Sequence, residues 1–258
     1  MSSIPKACYK QPQGELCTPE EFLRRAGNNY KVHNIYPYCP ECDEKLVISS
    51  QSVTNKLTHY RHYPLSNSEE VNLLSTCSLR NKTSNRQGWY CDNFNFSQVG
   101  KLINKFLNKD NLLDSFFFCW KLCGTKNLDL TDFGEILDLA IKKKVWAYAA
   151  LELWQIPYIF LTLRDFTYQD RFYFHFILHK QKDNNLSISS IFNTPTELQK
   201  VFTDSGTLMS KSPNNPLPVS KDAFEKMVEN NPFKQLNGFS EKLFSLADQK
   251  LGALRSHL

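Results

Sequence analysis

The chain contains little glycine and no long run of like-charged residues. Only nine of its 258 residues are glycine, whereas 19 are phenylalanine and 11 are tyrosine. This composition excludes a low-complexity linker, because such segments lack the apolar surface that drives folding. The densest basic run is only three lysines long, at 142–144. The net charge of +5, from 31 Lys and Arg against 26 Asp and Glu, is compatible with nucleic-acid binding but does not argue for it.

Long apolar runs are also absent. The first residues contain no apolar stretch of the kind found in secretory signal peptides. The most apolar later stretch, residues 145–163, is interrupted by Glu152, Gln155 and Pro157, which argues against a membrane span. We therefore expect a cytoplasmic protein without membrane contact. In that reducing compartment the eight cysteines are expected to be free thiols or metal ligands rather than disulfides.

The common catalytic motifs are missing too. The chain contains no glycine-rich phosphate loop, no Gly-x-Ser-x-Gly and no His-Glu-x-x-His. No pattern singles out a cysteine nucleophile with a distant histidine. The sequence therefore leans towards a protein that acts without catalysis.

A metal-binding constellation stands out near the N-terminus. It has five candidate ligands, namely Cys39, Cys42, His59, His62 and Cys77. A Cys-x-x-Cys turn supplies two converging sulfurs to a tetrahedral structural zinc site, and the later histidines and cysteine can complete it. Residues three apart in a strand point to opposite faces, so His59 and His62 share the metal only if the chain turns between them. Otherwise His62 and Cys77 form the second pair, and the choice of four is left open.

Local signals place this constellation on a small module. Thr18, Pro19 and Glu21 form a capping box that predicts a helix ending at Gly27. An extended stretch is expected over residues 30–38. Residues 45–48 and 56–62, separated by a polar turn, are typical of a β-hairpin. Residues 81–87 are interpreted as a linker or loop.

The sequence changes character after about residue 90. Apolar spacing predicts helices over 97–109, 110–123 and 131–144, and the tail from 220 to 258 is expected to be mostly helical. Aromatic and β-branched runs at 158–166 and 172–178 predict an antiparallel strand pair, and a second capping box at 194–197 predicts a helix to about 202. The fold class is therefore α+β, with a zinc-bearing hairpin module at 1–88 and a mainly helical domain at 89–258.

The remaining cysteines and histidines are weaker candidates. Cys8 and Cys17 lie in a polar segment and are weak candidates for a second pair of metal ligands. Cys119 and Cys123 lie four apart in an apolar helix, which favours buried core thiols. His175 and His179 lie in a predicted strand and are expected to face solvent.

Three motifs together resemble a known family. Cys39-Pro40-Glu41-Cys42, then Lys45-Leu46-Val47-Ile48, then His59-Tyr60-Arg61-His62 are similar to the N-terminal zinc-finger-like segment of CoiA-like competence proteins. The resemblance covers residues 30–80. Members of that family are associated with the processing of incoming DNA, and a restriction-type nuclease domain usually follows the finger. The resemblance implies a nucleic-acid context.

The nuclease itself is not carried over. A restriction-type site needs an Asp and a Glu-x-Lys on adjacent strands to hold a divalent metal and position water. No such Glu-x-Lys lies on a predicted strand, and near the predicted hairpin only Asp165 and Asp170 are available. A degenerate metal-dependent nuclease is the least favoured alternative.

We therefore expect a protein with one structural zinc that binds DNA or RNA in bacterial DNA handling or defence. The candidate contacts are the basic and aromatic residues around the finger, namely Lys45, Lys56, Tyr60, Arg61, Arg80, Lys82 and Arg86, with Tyr63 as a further stacking ring. The alternative is a protein-interaction subunit of a phage-defence or DNA-uptake system. In that case Trp146, Trp154 and Tyr158 form an exposed docking surface rather than a core.

Overall fold

A computed structural model describes most of the chain. The described residues are 4–49, 58–63, 77, 79, 89–91, 93–124, 126–168, 172–180, 186–203, 205–209 and 215–256. Their contacts divide them into two units: unit 1 within residues 1–85 and 90–94, and unit 2 within 86–89 and 95–258. The chain is mixed α and β with antiparallel sheets, as the sequence predicts.

The described residues of unit 1 form short strands and one helix. Its elements are β1 (Ala7–Tyr9), β2 (Leu16–Cys17), α1 (Pro19–Ala26), β3 (Pro37–Tyr38), β4 (Leu46–Ser49) and β5 (His59–His62). The predicted capping box is confirmed: the Thr18 hydroxyl accepts from the Glu21 amide at 3.3 Å, and the Glu21 carboxylate accepts from the Thr18 amide at 2.8 Å. The helix ends at Gly27, whose φ of +76° is a conformation that glycine adopts readily.

Two antiparallel sheets build the rest of unit 1. Strand β1 pairs with both β2 and β3, and β4 pairs with β5 in the predicted hairpin. The expectation of an extended stretch over 30–38 is wrong for most of its length. Residues 28–34 form turns, because the Ile35 amide donates to the Tyr30 carbonyl at 2.9 Å and Asn34 adopts a φ of +55°. Only β3 is extended.

The core of unit 1 is aromatic at its centre and sulfur-rich at one side. The buried ring of Phe22 contacts Tyr9, Tyr30 and Tyr60 edge-on, with centroid separations of 5.4, 5.4 and 6.3 Å. Cys39 and Cys77 belong to the same buried cluster. The candidate metal ligands therefore adjoin the hydrophobic core.

Strand β6 (Trp89–Tyr90) precedes the remaining elements, which are mainly helical. The helices are α2 (Val99–Phe106), α3 (Lys109–Cys123), α4 (Leu130–Lys142), α5 (Ile156–Leu161), α6 (Ile188–Ile191), α7 (Lys221–Val228) and α8 (Asn237–Leu251). The predicted helices at 97–109, 110–123, 131–144 and in the tail are confirmed within a few residues at each end. Edge-to-face contacts among buried rings fill the space between them, for example Phe106 against Trp146 and Phe160.

The sheet of unit 2 is larger than the predicted pair. Its strands are β7 (Phe166–Tyr168), β8 (Phe172–His179), β10 (Glu197–Phe202) and β11 (Leu217–Pro218), in the order β11-β10-β8-β7, and β9 (Leu186–Ser187) lies outside it. Strand β8 confirms the second predicted strand, and it pairs antiparallel with β7, which begins only where the first predicted run ends. The turn between them, which includes Asp170, lies outside the described residues.

Two secondary-structure predictions in unit 2 are wrong. The first part of the run at 158–166 belongs to helix α5, and only its last residue, Phe166, lies in a strand. The six residues of α5 are all buried, so its hydrophobicity shows no helical period. The predicted helix at 194–202 is strand β10. The Thr194 hydroxyl donates backwards to Ser190 O at 2.8 Å at the end of α6, and the following residues pair with β8 over six positions.

One lysine is inserted into the interior of unit 2. The ammonium of Lys200 on β10 lies 3.8 Å from the centroid of the Phe174 ring. It donates to the last carbonyls of α3, Leu122 O at 3.4 Å and Cys123 O at 3.3 Å. Burial lowers the pKa of Lys200. A cation at the carboxyl end of a helix stabilises that end and satisfies carbonyls that have no partner within the helix.

Among the described residues, no helix combines the length and apolar character that crossing a bilayer requires.

We predict that Lys200→Met destabilises unit 2. The variant keeps most of the apolar stem but loses the charged donor, so the free energy of unfolding should fall by about 1–2 kcal/mol. Chemical denaturation followed by tryptophan fluorescence measures this change. Lys221→Met is the matched control, because Lys221 forms only an exposed pair with Glu225 at 3.8 Å. Equal stability of the two variants would contradict the role assigned to Lys200.

Candidate metal centre

The Cys-x-x-Cys segment forms a tight turn between β3 and β4. The Cys39 amide donates to Glu44 O at 2.7 Å, and the Asp43 amide donates to Cys39 O at 3.0 Å. Asp43 adopts a φ of +60°, a left-handed conformation that aspartate tolerates better than most residues. These contacts bend the chain around residues 40–43 so that both thiols converge.

Strand alternation selects one of the two candidate histidines. Strand β5 is unbroken from His59 to His62, so successive side chains point to opposite faces. Tyr60 and His62 share the inner face, where Tyr60 is fully buried. His59 lies on the outer face at the far end of the strand, opposite Ser49. The structure therefore brings His62, and not His59, to the cysteines.

Four potential metal-donor atoms lie close together. The Sγ atoms of Cys39 and Cys77 are 3.8 Å apart, and His62 Nε2 lies 3.3 Å from Cys42 Sγ and 3.7 Å from Cys77 Sγ. All four donors lie within 4.8 Å of one another. Bonds of about 2.3 Å to sulfur and about 2.0 Å to nitrogen give tetrahedral edges of roughly 3.5–3.8 Å. The Cys39–Cys77 and Cys77–His62 separations match those edges and the Cys42–His62 separation is slightly shorter, so the four residues can hold a metal ion.

The thiols of this cluster have very different proton affinities. Hydrogen bonds from Cys39, Cys77 and His62 hold the pKa of Cys42 far below its usual range. Burial raises the pKa of Cys39, and hydrogen bonds with Cys39 and Cys42 raise that of Cys77. Of the three thiols, that of Cys42 therefore gives up its proton most readily.

A buried carboxylate lies beside the cluster. Glu41 is only 5% exposed, and its Oε2 accepts from the Cys77 thiol at 3.7 Å. A divalent ion held by the cluster would lie close to this carboxylate and favour its charged form. Sequence reasoning did not single out Glu41, although its position between the two ligands of the turn is the signal that could have identified it.

The structure describes only some of the residues predicted to contact nucleic acid. Lys45 is exposed at the start of the hairpin, and Arg61 is half-buried on its outer face. Tyr60 has no exposed surface, and its hydroxyl donates to Thr18 O at 2.8 Å, so the expectation that it stacks on bases is wrong. The four other predicted contacts lie outside the described residues, namely Lys56, Arg80, Lys82 and Arg86.

The other candidate thiols and histidines do not join a metal cluster. Cys8 and Cys17 lie on paired strands one register position apart, so their side chains point to opposite faces. Cys119 and Cys123 are buried, and burial raises the pKa of both thiols. Within the described ranges, the Cys39, Cys42, His62 and Cys77 set is the one group of donors arranged around a common centre.

We predict that metal content separates the two histidines. His62→Ala and Cys77→Ser each remove a donor and should lose most of the bound metal, whereas His59→Ala should retain one equivalent per chain. Inductively coupled plasma mass spectrometry of the purified variants measures this directly. Metal retained in His62→Ala but lost in His59→Ala would refute the ligand set.

No protein-family model, curated protein or solved structure matches this chain. The functional conclusion therefore depends on the geometry of its own residues, above all on a three-cysteine, one-histidine cluster that can hold a metal ion.

Proposed function

We propose that Cys39, Cys42, His62 and Cys77 bind one zinc ion in a structural site. The observation that carries the proposal is the close cluster of three sulfurs and one imidazole nitrogen, which all lie within 4.8 Å of one another. Thiolate and imidazole donors favour zinc over magnesium or calcium, which prefer oxygen ligands. Four protein donors fill a tetrahedral shell, and this leaves no position for a reactive water. The site is therefore suited to holding the fold together rather than to catalysis.

The structural role follows from where the ligands lie in the chain. Cys39 and Cys42 come from the turn after β3, His62 ends β5, and Cys77 is distant in sequence from both. Among the described residues of unit 1, the strands are at most four residues long and supply few backbone hydrogen bonds. A metal ion that joins three separate segments would contribute a large share of the folding free energy of such a module.

Removing the metal should therefore unfold unit 1 selectively. After treatment with a strong zinc chelator, we expect residues 4–49 and 58–63 to lose protection from hydrogen exchange because their crosslink is gone. Helices α2 to α5 have their own aromatic core and should keep their protection. Hydrogen exchange with mass spectrometry measures both regions in one sample. Unchanged protection of unit 1 after proven metal loss would contradict a structural role.

We further infer that the zinc-held module binds nucleic acid. Lys45 and Arg61 place positive charge at the hairpin, which is the element that carries the resemblance to CoiA-like finger segments. Phosphate groups attract such side chains, and aromatic rings nearby add contacts to bases or sugars. The biological setting that this proposal suits is bacterial DNA handling or defence.

Two observations weigh against the alternatives. Of the three rings expected at a docking surface in a protein-interaction subunit, Trp146 and Tyr158 are 1% and 0% exposed and belong to the core. Trp154 is half-buried, and its indole N–H donates to Glu152 Oε2 at 2.9 Å. A degenerate nuclease would need clustered carboxylates, and the part of the chain that the structure describes contains no such group around Asp165. Binding to nucleic acid is therefore the proposal we retain.

The proposal predicts binding that weakens steeply with salt. Binding of the zinc-loaded protein to labelled DNA or RNA should weaken as the sodium chloride concentration increases. Binding releases counterions from the phosphates, and this release is less favourable when the surrounding salt is already concentrated. Fluorescence anisotropy across a salt series gives the slope of log affinity against log salt. Lys121→Ala in unit 2 is the control for a change of net charge, and it should leave binding unchanged. The Lys121 ammonium lies outside the hairpin and already donates to Met227 O at 3.1 Å. No binding at low salt would overturn the nucleic-acid assignment and leave the zinc assignment standing.

A further inference from the structure

The outer face of the hairpin carries a basic and an aromatic residue side by side. Leu46 pairs with His62 and Val47 with Arg61, so continuing the register by one residue places Lys45 opposite Tyr63. Alternation puts Lys45, Arg61 and Tyr63 on the face that points away from the metal ligand His62. Lys45 is exposed, and the side chain of Tyr63 is 39% exposed.

A second tyrosine extends this face. The Lys45 ammonium lies 4.5 Å from the centroid of the half-buried Tyr36 ring, which holds a positive charge beside the aromatic surface. Tyr36 meets the buried ring of Tyr30 edge-on, with centroids 6.4 Å apart at 87°. The Tyr30 hydroxyl in turn accepts from the Ile48 amide of β4 at 3.3 Å. Tyr36 is therefore packed against a ring that is itself anchored to the hairpin.

Tyr63 follows the end of β5, and Lys45, whose ammonium reaches the Tyr36 ring, precedes the paired start of β4. We call the set of Tyr36, Tyr63, Lys45 and Arg61 the tyrosine face. It combines two partly exposed rings with two cations.

We propose that the tyrosine face binds single-stranded nucleic acid, with Tyr63 and Tyr36 stacking on bases and Lys45 and Arg61 contacting the adjacent phosphates. This inference rests on the proposed nucleic-acid function and names the form of the ligand. In a duplex the base faces are covered by their neighbours, whereas an unpaired strand offers them to aromatic side chains. Rings and cations mixed within one face match the alternation of bases and phosphates along such a strand.

The metal ligands hold both sides of this face. Tyr63 directly follows the ligand His62 in the chain. Lys45 is bridged to Tyr38, which directly precedes the ligand Cys39. An ion bound by Cys39 and His62 would therefore fix the segments that carry the ring and the cation, and this places the ligand-binding surface directly on the zinc-held framework.

The test compares single-stranded and duplex probes on the full-length, zinc-loaded protein. Fluorescein-labelled oligo-dT and oligo-U of about 15 nucleotides, and a DNA duplex of the same length, are titrated by anisotropy at low salt. Tyr63→Ala should weaken binding to the single strands about tenfold or more, because stacking on one base is lost. Tyr63→Phe should bind like the original protein, since it keeps the ring. Lys45→Ala should weaken binding and lower the salt slope by about one phosphate contact.

Controls separate a lost contact from a lost fold. Each variant should retain one zinc per chain, and Tyr173→Ala, which removes a 54% exposed ring from unit 2, should bind normally. Binding to oligo-dT and oligo-U alike would support recognition of bases and phosphates shared by both strands. If the protein binds single strands but Tyr63→Ala and Lys45→Ala bind equally well, the tyrosine face is refuted and nucleic-acid binding stands. Equal affinity for the duplex would refute the preference for single strands, and no binding to any probe would refute the proposed function as well.

Discussion

The crowding of three thiols, an imidazole and a carboxylate at the edge of a small core is the constraint on which unit 1 depends. Cys39 and Cys77 are almost completely buried, and Glu41 lies beside them. Burial raises the pKa of the Cys39 thiol, and hydrogen bonds with Cys39 and Cys42 raise that of Cys77, so without a metal these two groups keep their protons. A bound cation would displace those protons and join the three segments that carry the ligands.

Side chains alternate between the two faces of a strand, so the hairpin directs one set of residues towards the core and the cysteines and another set outwards. On the inner face, Tyr60 fills the core beside Phe22 and His62 reaches the cysteines. On the outer face, Arg61 alternates with those residues and is partly solvated. A shift of the register by one residue would exchange the two sets, burying Arg61 and removing His62 from the cluster. The metal site and the tyrosine face are therefore specified by the same backbone pairing.

Local chemistry decided which features the sequence could predict. The capping box at Thr18 and the Cys-x-x-Cys turn depend on residues close together in the chain, and their patterns identify them. The choice between His59 and His62 needed the knowledge that β5 continues without a turn, which adjacent residues do not specify. Helix α5 was misread because a completely buried helix has no polar face, so its sequence resembles a buried strand. At residues 194–197 the capping pattern was real, but Thr194 bonds to the preceding helix, and pairing with β8 overrode local preference.

The distribution of aromatic residues separates packing from recognition. In unit 2 the rings meet edge-to-face in the interior, as Phe133 does with Phe116 and Phe160, and this explains the abundance of phenylalanine. Phenylalanine has no polar group that needs a partner, so it suits a dry core. The tyrosine face differs, because Tyr36 and Tyr63 keep part of each ring exposed next to cations. A ring that stays exposed contributes less hydrophobic stabilisation to the fold than a buried ring does. In the tyrosine face part of this stabilisation is given up beside Lys45, and a planar, negatively charged partner of the kind proposed above would recover it by covering the rings.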